Sequence, residues 1–171
     1  MQRYVIARPS ALVLILAAVT TTTSATGPRV ITSGKVSRED AISIVNDPDV
    51  KAAIDKAFED SLPQELEARH EEGGWIIENT DTGKLRVQRC SGGPSGDMFM
   101  EVCDANLAPN EQAAAFFHTH PGPEVDENNV RWQIDPSPED RLAVPAENQS
   151  DQFGVVRTQN NYMIYDHTYD Q

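Results

Sequence analysis

His118 and His120 stand two apart at the end of the apolar run Ala113-Ala114-Ala115-Phe116-Phe117, with Thr119 between them and Pro121 after. Side chains alternate along an extended strand, so both imidazoles leave the same face. Two neutral imidazoles on one face can share a cation, and this spacing uses half of the four histidines in the chain. A pair needs a third ligand. Asp140 in Pro136-Ser137-Pro138-Glu139-Asp140 is the candidate, one turn into a helix that Ser137 would open.

The elements that must position these groups are legible around them. Ser37 with Asp40 resembles a capping box, and Asp47-Pro48 reads as an N-cap followed by a proline at the first helical position. Val50, Ala53, Ile54, Ala57, Phe58 and Leu62 then form one stripe of a helix ending near Pro63. Trp75 to Asn79 predicts a strand, 80–83 a turn and Lys84 to Cys90 the returning arm of a hairpin. Residues 91–96 are a glycine-rich loop, Met98 to Cys103 a third strand, Pro109 to Gln112 a turn or short helix start, and 113–119 the central strand. The helix opened by Ser137 is expected to run to about Pro145 or Asn148, and a hairpin of 153–157 and 162–165 closes the domain. This order predicts an α/β or α+β fold around a mixed, mostly antiparallel sheet.

The 171 residues suit one domain. Arg3 and Arg8 precede the apolar run 11–19, and small residues end at Ala25. That run is far below the ~20 residues of a spanning helix, and its flanks are those of an export signal. The expected division is a signal peptide over 1–25, a flexible arm over 26–36 and one domain over 37–171; an uncleaved anchor is the other reading of the first segment. The formal charge of the whole chain is −13, and residues 1–25 hold two of the 14 basic residues and none of the 27 acidic ones, so the remainder carries −15. Such a surface repels phosphate backbones and anionic lipid, which argues against nucleic acid and membrane partners. Cys90 and Cys103 are expected to form a disulfide in an oxidising compartment, with buried thiols or zinc ligands as the other readings.

Glu71-Glu72-Gly73-Gly74 opening a hairpin, then His118-Thr119-His120-Pro121, then Ser137-Pro138-Glu139-Asp140, resembles the JAMM (JAB/MPN) family of zinc metalloproteases over roughly residues 65–166. The Glu-x-Gly-Gly start and the Phe-His-Thr-His-Pro run are similar to bacterial exported JAB-like domains of unknown function. The resemblance implies a JAB/MPN-like fold with cytidine-deaminase-like layering and one Zn²⁺ held by His118, His120 and Asp140. It implies a glutamate general base, Glu71 or its neighbour Glu72, with Glu71 the better match to the spacing. Ser137 would help hold the oxyanion. The implied reaction is hydrolysis of an amide or isopeptide bond by zinc-activated water, on a peptide or protein substrate, outside the cell or in the periplasm. A non-catalytic JAB-like binding module and a toxin-type effector are the alternatives. The chain departs from the family at 122–136, a long connection in which Trp132 is either a contact on a substrate flap or part of a solvated insertion.

Overall fold

Two caps set where the helices begin. The Ser37 hydroxyl accepts the Asp40 N–H at 3.1 Å and donates to Asp40 Oδ2 at 2.9 Å, a reciprocal box that starts α1, Arg38–Val45. The Asp47 carboxylate accepts the N–H groups of Asp49 and Val50 at 3.0 and 3.2 Å, and Pro48 has no N–H to leave unpaired, so α2 runs Pro48–Asp60. It stops before Pro63, with Ser61 as its C-cap and Leu62 in the left-handed region at φ 53°. The computed structural model describes residues 37–94, 102–126, 129, 131, 134–143 and 152–165. The expected signal over 1–25, the arm over 26–36, Met98 to Glu101, Trp132 and any continuation of the Ser137 helix past 143 lie outside them.

The remaining elements are β1 Gly73–Asn79, β2 Leu85–Arg89, β3 Glu111–His120, α3 Pro138–Ala143, β4 Phe153–Thr158 and β5 Tyr162–Tyr165. They form a five-stranded sheet in the order β2-β1-β3-β4-β5, antiparallel everywhere except β3 against β4. The expected mixed, mostly antiparallel α+β architecture is therefore what the chain adopts. A parallel pair needs a crossover, and residues 121–152 with α3 supply it. β3 starts two residues earlier than the apolar run, because Glu111 and Gln112 already pair with Asn79 and Glu78. Cys103 lies in a segment without ladder bonds, so the expected strand Met98 to Cys103 does not reach its last two residues.

Alternation divides the sheet into two unlike faces. Ile76, Ala115, Phe117, Phe153 and Val155 pack beneath Ile44, Val50, Ile54 and Ala57 of the two helices. Each such side chain removed from water contributes about 1.5–3 kcal/mol. Trp75, Ile77 and Phe116 point the other way and are covered by Cys90, Cys103 and Ala105. Trp75 donates its indole N–H to the Cys103 carbonyl at 2.6 Å and meets Phe116 edge-on at 5.1 Å between ring centroids. The disulfide Cys90–Cys103 pins this cover across a sequence separation of 13. In the chain-entropy picture that closure stabilises by about 3 kcal/mol. Replacing both cysteines by alanine should lower the urea-unfolding free energy by about that amount, with Trp75 emission moving to the red. An unchanged midpoint would show that the segment over Trp75 holds without its covalent tie.

The helical face carries one buried-edge charge network. Asp55 of α2 accepts from Arg157 Nε of β4 at 2.9 Å, from Lys51 Nζ at 2.9 Å and from the Tyr162 hydroxyl of β5. Burial opposes ionisation of this carboxyl, but Tyr162, Lys51 and Arg157 outweigh it and bring it from 3.8 down to about 2. Because the folded value lies below the unfolded one, the stabilisation is full above pH 4 and disappears as the pH falls toward 2. The urea midpoint of the wild type should fall between pH 5 and pH 2 by more than that of Asp55→Asn, and parallel curves for the two proteins would remove Asp55 from the acid transition.

Candidate metal centre

β3 delivers the two histidines as alternation requires. Both are buried, on the face that carries Phe116, and the Phe116 ring stacks on His118 at 6.2 Å between centroids. The two Nε2 atoms face one another at 3.1 Å. His120 donates its Nδ1–H to the Ile134 carbonyl at 3.3 Å, which leaves the Nε2 lone pair directed at the pair's centre. His118 Nδ1 is buried with no hydrogen-bond partner among the described residues. Burial, the largest influence, outweighs the attraction of Asp140 and with His120 holds the His118 imidazole below its ordinary pKa. Neutral imidazole is the form that ligates a cation.

Two carboxylates flank this pair from different parts of the chain. Asp140 of α3 places Oδ1 3.1 Å from His118 Nε2 and Oδ2 3.5 Å from His120 Nε2. Its orientation comes from a second reciprocal cap. The Ser137 N–H donates to Asp140 Oδ2 at 2.6 Å, and the Asp140 N–H donates to Ser137 Oγ at 3.0 Å. Burial pushes the Asp140 carboxyl up, but His118, His120 and the Ser137 N–H together hold it far below the carboxylate range, so it is ionised. On the other side Glu71, just ahead of β1, sets Oε1 3.7 Å from His120 Nε2. Glu71, His118 and His120 are all buried, and their ligand atoms lie within 4.8 Å of one another. This group could hold a metal ion.

The separations fit one small cation. Nitrogen and oxygen ligands at 2.0–2.1 Å around a tetrahedral ion stand about 3.3 Å apart. The His118–His120 separation of 3.1 Å is close to that edge, and the two Asp140 oxygens each meet one imidazole, Oδ1 at 3.1 Å from His118 and Oδ2 at 3.5 Å from His120. Glu71 is the outlier at 3.7 Å.

Of the residues singled out in the sequence, His118, His120, Asp140, Ser137 and Glu71 converge here. Glu72 does not: its carboxylate turns away to His70 and Arg89. Glu78, expected as a solvated strand residue, is fully buried and accepts from Gln112 Nε2 at 3.2 Å. Trp132 lies outside the described residues. The sequence pattern missed Tyr165, the last residue of β5. Its ring lies across Gly154, where any side chain would collide with it, and meets His118 edge-on at 6.5 Å. Burial first, then the charge of Asp140 and Glu71, pushes its hydroxyl well above the ordinary pKa, so the phenol stays protonated. Its only sequence signal is parity: Gly154 pairs with Phe116, and Tyr165 pairs with Gly154, so all three share the histidine face.

Comparisons of the chain with protein-family models, with curated proteins and with solved structures gave no match.

Proposed function

We propose that this protein is an exported zinc-dependent peptidase of the JAMM type, hydrolysing an amide or isopeptide bond in a peptide or protein. The observation that carries the proposal is the placement of Asp140 against both histidine Nε2 atoms with the Glu71 carboxylate 3.7 Å from His120 Nε2. Two imidazoles and one carboxylate are the ligand number of a catalytic zinc site, which keeps a position for water or substrate. Zn²⁺ bound there would polarise a carbonyl and bring the pKa of a bound water to about 7.

The chain's own groups then have distinct work. Glu71, buried beside His120, takes the proton of the attacking water and returns it to the leaving nitrogen. Asp140 is held ionised and oriented by the Ser137 N–H, so its two oxygens stay turned toward the histidines. The Ser137 hydroxyl accepts the Asp140 N–H through a lone pair, and its own proton is the donor it would offer to the developing oxyanion. Phe116 and Tyr165 pack the His118 ring on two sides and exclude water behind it. Export is supported by the disulfide, which persists in an oxidising compartment, and by the basic and apolar pattern of residues 3–25. No helix among the described residues is long and apolar enough to cross a membrane.

The test is metal analysis of the purified protein together with cleavage of a mixed peptide pool. One zinc per chain and metal-dependent cleavage are expected; a wild type without stoichiometric zinc would contradict the proposal.

A further inference from the structure

Glu71 and Glu72 are neighbours whose carboxylates go to opposite sides, and what holds the second fixes the first. Glu72 Oε1 accepts from His70 Nε2 at 2.9 Å, and its other oxygen pairs with Arg89 Nη2. Arg89 in turn reaches Asp60 of α2 at 3.4 Å. Gly92 lies so close that any side chain there would strike the Glu72 carboxylate.

The backbone is fastened more directly. The Glu72 N–H donates to Thr119 Oγ1 at 2.9 Å, and the Thr119 N–H donates to the Glu72 carbonyl at 2.8 Å. The Gly93 N–H closes on the Glu71 carbonyl at 2.8 Å. Thr119 is fully buried and sits between the two histidines of β3, its side chain leaving the face opposite theirs. We propose that Thr119 is a positioning residue for Glu71. Its hydroxyl and amide clip the Glu71-Glu72 segment onto the strand that carries His118 and His120, so carboxylate and imidazoles keep one register. The inference rests on the reading of Glu71 as the proton-transferring base. Valine keeps the shape of threonine but offers no acceptor, so the Glu72 amide would lose its partner and the segment could shift. A displacement of about 1 Å at a reacting group costs about 100-fold in rate.

The experiment compares the full-length wild type with Thr119→Val and Thr119→Ser. In metal-free protein, amide exchange at Glu72 should quicken about 2- to 10-fold in Thr119→Val, the worth of one hydrogen bond, and stay at the wild-type rate in Thr119→Ser. In zinc-loaded protein, kcat for a peptide that the wild type cleaves should fall about 10- to 100-fold in Thr119→Val with KM and zinc content unchanged. Serine should restore it. Wild-type exchange at Glu72 in Thr119→Val, wild-type kcat in that variant, or a serine variant as impaired as the valine one would each overturn the assignment. A wild type that takes no zinc or cleaves nothing refutes the proposed function instead, and the exchange rates alone then decide the clip. Thr119→Ala is read in the same way if Thr119→Val does not fold.

Discussion

Purified His118→Ala and Asp140→Asn should retain almost no zinc after dialysis, where the wild type keeps one ion per chain. His118→Ala removes the nitrogen 3.1 Å from His120 Nε2, and Asp140→Asn turns the carboxylate 3.1 Å from His118 Nε2 into a neutral amide, so three ligands of the same geometry and charge do not remain. Loss of an outer-shell partner alone costs about 10- to 100-fold in affinity, so loss of a ligand should exceed that. The matching control is supplied by the chain itself. Ser37-Arg38-Glu39-Asp40 repeats the Ser-x-x-Asp pattern on α1, where Ser37 Oγ again accepts the aspartate N–H, but Asp40 is exposed and not in the buried group around His118 and His120. Asp40→Asn should therefore leave the zinc content unchanged, its effect confined to about 1 kcal/mol of helix stability. Zinc retained by His118→Ala, measured by atomic emission on protein of native circular dichroism, would remove the proposed centre.

Glu71→Gln should keep zinc and lose hydrolysis by about 10²- to 10⁴-fold, the range that a positioned proton-transferring carboxylate supplies. The amide is nearly isosteric and still fills the buried pocket beside His120, so the loss would report chemistry and not collapse of the site. The pairing of results discriminates between two roles. If Glu71→Gln loses zinc as well as activity, Glu71 is a ligand, which its closeness to both imidazoles allows. If it keeps both, the proton-transfer assignment fails. Zinc content and single-turnover cleavage, measured on the same preparation, separate these outcomes.

Much of the scaffold was legible because its signals are local. Helix starts at Ser37 and Asp47, the turn at 80–83 and the alternation through Phe116, His118 and His120 each depend on neighbours within a few residues. The weaker expectations were those that needed distant partners. Glu78 was expected as a solvated strand residue, yet the place of β1 between β2 and β3, together with Gln112, buries it. Val102 and Cys103, the described end of an expected strand, carry no ladder bonds; Cys103 lies against Trp75 and is tied by the disulfide and the Trp75 indole N–H. Apolar spacing reports that a segment will be buried, and it does not report whether a ladder partner is available.

The sequence by itself determined which side chains share a face: His118 with His120, and Thr119 opposite them, because the period of a strand is a property of the backbone. It also determined that Ser137 would cap a helix and that Asp140 would sit in its first turn. It could not separate that tetrad from Ser37-Arg38-Glu39-Asp40, since in both the serine Oγ accepts the N–H of the aspartate three residues on. Only the crossover between β3 and β4, which sets α3 against the end of the histidine strand, brings one aspartate against both histidines and leaves the other a cap. Which of Glu71 and Glu72 faces the imidazoles was decided in the same way. Their carboxylates must diverge in any extended segment, and it is the hold of Thr119, His70 and Arg89 on Glu72 that turns Glu71 toward the imidazoles.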